Sequence, residues 1–488
     1  MDSISKKIVS GTIYTAVGKY SSIVISLIVT AILARFISPS DFGVIAIATV
    51  FISFFSLLGD LGISAAIVQK KNIGSDDLNQ YFTFSFYLAL LLAILFALLS
   101  PFIVSYYNNE SLEIILYLLT LQIFFATINM VPNAVLLKRQ EFKFIANRTV
   151  IVHVVLGVIS CIAAITGAGI YALLINPIFG AILIFVLNYF HSGRMKFVLK
   201  IHKESMSKIC GYSVYQFLFT IQNYVFRNID KLLIGKYLNM SQLGYYEKSY
   251  RLMMLPVQNI SKVITPVLQP VLSEFQQDIE TQIKHFNQVT KILAIIGFPI
   301  SIFLFFSSRE IILIVFGDNW LDAILPFKIL SLSVASQMLS STFGSIFQST
   351  NNIKSQLYIG LINTIWSVSM ILIGLFCFGT TAGVAGMFTI AMVVETIYNW
   401  AYVYKFIYRK PILSFYRHLG VAALMAILLT CVLFPVDLLT RNFNFLISFF
   451  IKAIVSLTLV LYIIQKFNIF NLKSLIGHIQ KLWKKRGS

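Results

Sequence analysis

Residues 213–244 read SVYQFLFTIQNYVFRNIDKLLIGKYLNMSQLG. The segment is apolar enough to enter a bilayer, yet it carries Arg227, Asp230 and Lys231 within about one helical turn. Its polar residues are ordered. Ser213, Gln216, Thr220, Asn223, Arg227 and Asp230 follow spacings of three and four, which puts them on one face of a helix. The remaining faces are Phe, Leu, Ile, Val and Tyr. Charge inside a membrane span is costly and normally faces a partner, a polar cavity or a substrate path. The stretch therefore reads as one wall of a hydrated, cation-lined cavity. The alternative is a structural Arg227–Asp230 pair with some snorkelling at the helix end.

The rest of the chain has the composition such a wall requires. Of 488 residues, 58% are hydrophobic and 12% charged, and the mean hydropathy is +0.83. A water-soluble fold could not hide that much apolar surface, so the chain reads as an all-α, polytopic membrane protein. The formal charge of +19 does not point to nucleic acid, because the cations sit mostly in short loops beside apolar runs. The four cysteines are scattered, with no CxxC pair and no histidine at metal-ligand spacing. No cofactor is expected. The first apolar segment follows Lys6 and Lys7, carries Lys19 and is the first of many, so it reads as a span and not as a cleaved leader.

A span needs about 20 apolar residues. Fourteen stretches qualify: 12–34, 43–67, 81–106, 112–137, 149–167, 169–190, 211–235, 245–272, 287–308, 323–348, 357–378, 382–404, 418–436 and 445–465. Basic residues then fall on one side: Lys6 and Lys7, Lys70 and Lys71, the Lys138–Arg148 cluster, Arg194–Lys208, Lys354, Lys405–Arg417 and the Lys466–Arg486 tail. Both termini are expected in the cytoplasm.

The chain also repeats itself at an offset of 201 residues. Arg35-Phe36-Ile37-Ser38-Pro39-Ser40-Asp41-Phe42-Gly43 aligns with Lys236-Tyr237-Leu238-Asn239-Met240-Ser241-Gln242-Leu243-Gly244, each time between a first and a second span. Six spans separate the copies, so the halves share one orientation, as in transporters built from parallel repeats. The expected organisation is a six-helix lobe over 1–200, a second over 201–410, two additional helices over 411–468 and a basic tail over 469–488. Shifted by 201, the polar face of span seven falls on Thr12, Thr15, Lys19, Ser22 and Ser26, again a stripe at helical spacing. Hydroxyls in such a stripe can bond to their own backbone. Lys19, deep within its helix, has no such explanation.

Span eight adds Lys248, Arg251, Gln258, Lys262 and Thr265, with Pro256, Pro266 and Pro270 on the same span as candidate bending points. The cations fit an anionic ligand; the alternative is interfacial snorkelling. The expected substrate-binding set is Lys19, Gln216, Asn223, Arg227, Lys248, Arg251 and Gln258. Acids within spans are Asp60, Asp230 and Glu395, candidates for ion coupling, with a helix cap, an ion pair and an interfacial residue as the respective alternatives. The chain lacks a nucleotide-binding glycine loop, an HExxH motif and a nucleophile triad, so ATP use and hydrolytic catalysis are not expected.

At this point the residues resemble a known family. Arg227-Asn-Ile-Asp230-Lys-Leu-Leu-Ile-Gly235-Lys236, Leu243-Gly244-Tyr245-Tyr246 and Pro256, Pro266 and Pro270 resemble the polysaccharide-transport family of bacterial flippases. Ser10-Gly11, Leu33-Ala34-Arg35-Phe36, Phe42-Gly43, Gly59-Asp60-Leu61-Gly62 and Gln69-Lys70 are similar to the colanic-acid and teichuronic-acid exporters in particular. The resemblance implies the multidrug/oligosaccharidyl-lipid/polysaccharide exporter fold, two six-helix lobes in a V-shaped arrangement. It implies a polyprenyl-pyrophosphate-linked oligosaccharide as substrate, moved between leaflets of the bacterial inner membrane, with membrane lipids, a polysaccharide polymerase and chain-length proteins as partners. Two other functions stay open here: a drug or cation antiporter of the same superfamily, and a membrane polysaccharide polymerase or lipid-dependent glycosyltransferase.

Overall fold

The computed structural model describes residues 3–60, 63–70, 73–198, 221–222, 224–261, 268, 272–275 and 278–467, and these are helices joined by short turns. The chain divides into two compact units, Met1–Glu247 with Val315–Asn319, and Lys248–Ile314 with Trp320–Ser488.

The first unit opens with α1 (Ser3–Phe36), α2 (Pro39–Asp60) and the short α3 (Ile63–Gln69). It continues through α4 (Ser75–Tyr107), α5 (Ser111–Ile128), α6 (Met130–Lys138), α7 (Phe142–Ile165) and α8 (Ala172–Ser192). After them come α9 (Ile229–Tyr237) and α10 (Met240–Pro256), the latter running on into the second unit. The turn between α7 and α8 is built by Gly167 and Gly169, at φ +89° and +55°, a conformation open to glycine without strain. Two glycines let α1 lie close on α7. A Cβ at Gly18 would come within 2.9 Å of the Ala146 Cβ, and one at Gly157 within 2.6 Å of Val29.

The second unit holds α11 (Ile279–Phe306), α12 (Ser308–Val315, except its last residue), α13 (Ile324–Ser331), α14 (Val334–Ser340) and α15 (Phe343–Ser349). Then follow α16 (Ile353–Phe378), α17 (Thr381–Tyr402), α18 (Leu413–Thr440) and α19 (Phe445–Lys466). Its core is aromatic. Trp400, stacked on Phe415 at 4.0 Å, packs with Phe286, Phe343 and Tyr404.

Among the described residues, eleven helices are long and apolar enough to cross a membrane, and twelve if the pair Asp318–Ser331 and Val334–Ser349, bent by 48°, forms one span. Each of the twelve coincides with one of the fourteen expected spans. The other two, 211–235 and 245–272, lie partly outside the described residues. Outward faces carry large apolar side chains such as Phe102, Leu98 and Ile365, each more than 60% exposed, a surface that suits lipid and not water. This is a multi-pass membrane protein.

The 201-residue offset seen in the sequence has a structural counterpart. Ser38 caps the start of α2 by accepting from the Asp41 backbone N–H, and donates its hydroxyl to the Asp41 carboxylate at 2.8 Å. Pro39 at the first helical position needs no partner for a missing N–H. In the second copy, Asn239 caps α10 by accepting from the Gln242 backbone N–H at 2.8 Å. Ser38 with Asp41 and Asn239 with Gln242 are the same two positions of the repeat.

Candidate functional site

The α1 stripe divides in two. Thr15 and Ser22 donate their hydroxyls to the carbonyls of Gly11 and Gly18, both at 2.8 Å, so local back-bonding accounts for them. Lys19 is exposed at the midpoint of a 34-residue helix, its ammonium 5.8 Å from the Tyr20 ring. The packing face through Gly11 and Gly18 turns toward α7, and Lys19 lies about 100° round the helix from Gly18.

In span seven, Gln216 and Asn223 lie outside the described residues. The continuous polar face expected from residue 213 to Asp230 is interrupted. Arg227 and Asn228 form a turn, and the Asn228 side chain donates to the Tyr224 carbonyl at 2.9 Å. That local bond competes with the helical ladder, and α9 begins afresh at Ile229. Arg227 is consequently exposed, whereas Asp230 is 3% exposed. The Asp230 carboxylate accepts from the Tyr246 hydroxyl at 3.0 Å and from the Lys231 backbone N–H at 2.8 Å. The structure thus ties Asp230 to α10 through Tyr246. The segment is anchored at other points too: Tyr224 donates to the Val50 carbonyl, and Tyr107 to the Leu232 carbonyl at 3.3 Å.

In span eight, burial separates the stripe. Lys248 is 6% exposed, while Arg251 and Gln258 are exposed. Gln258 sits in a wide π-type turn, Val257–Ser261, directly after Pro256, the kind of helical irregularity that recurs at functional positions. Lys262, Thr265, Pro266 and Pro270 lie outside the described residues.

The acids occupy three different settings. Asp60 is exposed at the end of α2 and accepts from the Ser64 hydroxyl at 2.7 Å. Asp230 is buried as described. Glu395 accepts from Ser367 in a polar seam between α16 and α17, where Asn363 donates to Asn399 at 3.2 Å one turn away.

Two polar groups escaped the sequence reading. The sequence places Arg148 among the cytoplasmic cations, immediately before the apolar run that opens at 149. Helix α7 begins at Phe142, so Arg148 lies inside it, 7% exposed and bonded to Asn133 and Asn188. Asn129 and Asn133, four residues apart in an apolar segment, were the available signal. The second group centres on Lys452, 1% exposed in α19. Its ammonium donates to Glu310 at 2.6 Å, to Asp437 at 2.5 Å and to the Phe306 carbonyl at 2.9 Å. A lysine in the middle of the final span was the signal there.

A family model described as "Polysaccharide biosynthesis protein" matches residues 32–325, which is 294 of the 488 residues. The chain belongs to that family. The match begins before the Arg35–Gly43 motif and spans its repeat at Lys236–Gly244, with Arg227, Asp230, Lys248, Arg251 and Gln258 inside it. The chain is 24% identical over 456 residues to the teichuronic acid biosynthesis protein TuaB of Bacillus subtilis strain 168, covering 91% of this chain and 92% of that one. It is 24% identical over 424 residues to the lipopolysaccharide biosynthesis protein WzxC of Escherichia coli strain K12, covering 85% and 84%. Among solved structures, the lipid II flippase MurJ in an inward closed conformation matches with a TM-score of 0.75 and 19% identity, over 95% of this chain and 100% of that chain. That likeness shows a shared fold.

Proposed function

We propose that this family member is a flippase that moves a polyprenyl-pyrophosphate-linked oligosaccharide from the cytoplasmic to the outer leaflet of the bacterial inner membrane, for synthesis of a surface polysaccharide. The observation that carries the proposal is an exposed Lys19, the seventh residue of the candidate membrane span Ile13–Phe36, in a chain of this family. A cation at that depth is costly unless it meets water or an anion, and pyrophosphate is such an anion. The reading is supported by the names of the relatives, one serving teichuronic acid and one lipopolysaccharide biosynthesis, and by the fold shared with a lipid II flippase.

In this proposal Lys19, Arg227, Arg251 and Lys248 receive the pyrophosphate by charge-assisted hydrogen bonds, which are stronger than neutral ones. Gln216, Asn223 and Gln258 take the sugar hydroxyls, and the polyprenyl chain stays among lipids. Asp60, Asp230 and Glu395 are the candidates for ion coupling. Residues 1–200 and 201–410 act as two lobes exchanging access from one face to the other, 411–468 add two helices, and both termini are cytoplasmic. A polymerase and chain-length proteins would take over the translocated unit.

The test is reconstitution. Purified protein in liposomes is given a polyprenyl-pyrophosphate-linked oligosaccharide in one leaflet, and its arrival in the other is followed with a membrane-impermeant lectin. Faster arrival than in protein-free liposomes supports the proposal, and equal rates refute it.

A further inference from the structure

The guanidinium of Arg148 is buried in the first unit, with asparagine amides as its side-chain hydrogen-bond partners among the described residues. Its Nη2 donates to the Asn133 Oδ1 at 2.8 Å and its Nη1 to the Asn188 Oδ1. Asn188, itself fully buried, donates in turn to the Asn129 Oδ1 at 2.8 Å. The Nε–H is buried and has no acceptor. An arginine has five N–H donors, and the two bonds to asparagines use only part of them. Among the described residues no carboxylate forms an ion pair with Arg148. The nearby acid Glu141 is engaged by His191, whose ring stacks on Phe144 at 3.8 Å, and Phe144 lies 6.0 Å from the guanidinium.

A buried cation is normally matched by an anion, because amide oxygens offset only part of its lost hydration. Here the amides orient the guanidinium instead. Asn129 comes from the break between α5 and α6, Asn133 from α6, Arg148 from α7 and Asn188 from α8, so four segments fix one fork. Asn133 is half-buried, which makes it the member open to exchange. Replacing its neutral oxygen with an ionised one yields a stronger bond to the same Nη2. Exposed Arg139, Lys143, Arg194 and Lys196 flank these helix ends and attract the same kind of ligand by long-range field.

We infer that Arg148, held by Asn133 and Asn188, is an oxyanion-binding site for a phosphate group, distinct from the residues assigned above to the substrate path. The group belongs either to the pyrophosphate of the transported lipid or to the headgroup of an acidic phospholipid. Only the first source rests on the flippase reading.

The test uses full-length protein in nanodiscs of zwitterionic lipid, titrated with inorganic pyrophosphate by calorimetry. Two variants are compared with their parent. Arg148→Gln removes the charge and keeps an amide donor; Asn133→Asp supplies the missing carboxylate in place. The parent and both variants carry Lys19→Ala and Arg227→Ala, which weaken pyrophosphate binding at the proposed substrate path. In that background Arg148→Gln and Asn133→Asp are each expected to bind pyrophosphate at least ten-fold more weakly, with Asn133→Asp unfolding no earlier than its parent. Unchanged affinity in either folded variant, or no binding to the parent, would overturn the inference. Repeating the titration with acidic phospholipid in the nanodisc identifies the source: suppressed binding marks a lipid headgroup, and retained binding marks the pyrophosphate of the transported lipid. Because binding is read without transport, failure of the flippase reading and failure of this site give different results.

Discussion

Gly43 and Gly244 stand 201 residues apart at the same position of the repeat, and each lies against the backbone at the start of the other's helix. A Cβ on Gly43 would meet the Met240 carbonyl oxygen at 1.8 Å, and one on Gly244 would meet the Pro39 carbonyl oxygen at 2.0 Å. Pro39 and Met240 are themselves equivalent in the repeat. The contact is reciprocal in the way a two-fold interface is, with residue i on j and j on i. Backbone carbonyls cannot swing aside as side chains can. Gly43→Ala and Gly244→Ala should therefore each destabilise the protein by about 1–3 kcal/mol, the usual cost of overpacking. Thermal unfolding in detergent checks this, and a midpoint equal to wild type for both would contradict it.

Arg227→Ala should abolish polysaccharide export while leaving the amount of protein in the membrane unchanged. The side chain is exposed at a turn, so its removal leaves no hole in the packing. Surface polymer and membrane-fraction immunoblots are the two measurements. Normal export would show that Arg227 has no part in the path.

Within the α1 stripe the predicted effects differ by residue. Ser22→Ala and Thr15→Val remove hydroxyls bonded only to their own helix, so export should stay within about two-fold of wild type, since surface-type changes usually shift stability by under about 0.5 kcal/mol. Lys19→Ala should cut export at least ten-fold. Equal behaviour of all three would remove the distinction between structural hydroxyls and a functional cation.

Lys452→Met should destabilise the second unit by about 3 kcal/mol. Loss of one partner from a buried ion pair costs about 3–5 kcal/mol, and the lower end applies because the Asp437 side chain is 39% exposed. Glu310, at 7%, bears most of the loss, so adding Glu310→Gln to Lys452→Met should restore part of the stability. Thermal unfolding of the single and double variants decides, and a double variant less stable than Lys452→Met alone would contradict it.

Much of the fold was legible because its signals are long. Twenty-residue apolar runs mark spans whatever their packing, and a nine-residue match at fixed offset marks a repeat, down to the N-caps Ser38 and Asn239. Short-range polar detail was less legible. The stripe through Arg227 and Asp230 presumed an unbroken helix, but the Asn228 side chain bonded to Tyr224 ends it, and no spacing rule sees a side chain competing with the backbone. Lys248, Arg251 and Gln258 share a spacing pattern yet differ in burial, because burial is set by neighbours far away in sequence. Arg148 was misread for a related reason: its solvation by Asn133 and Asn188 comes from two other helices, and alone it looks like a loop cation. Glu310 and Asp437 were missed because each falls just past the end of an apolar run, where an acid is unremarked until Lys452 is brought against it.

The most direct test of the account is made in a strain lacking this gene with the later polymer enzymes intact. Polyprenyl-pyrophosphate-linked oligosaccharide is quantified on each face of the inner membrane. Accumulation on the cytoplasmic face with loss of surface polymer is expected, reversed by the wild-type gene and not by Arg227→Ala. Normal flipping, or repeat units stranded unpolymerised on the outer face, would contradict it.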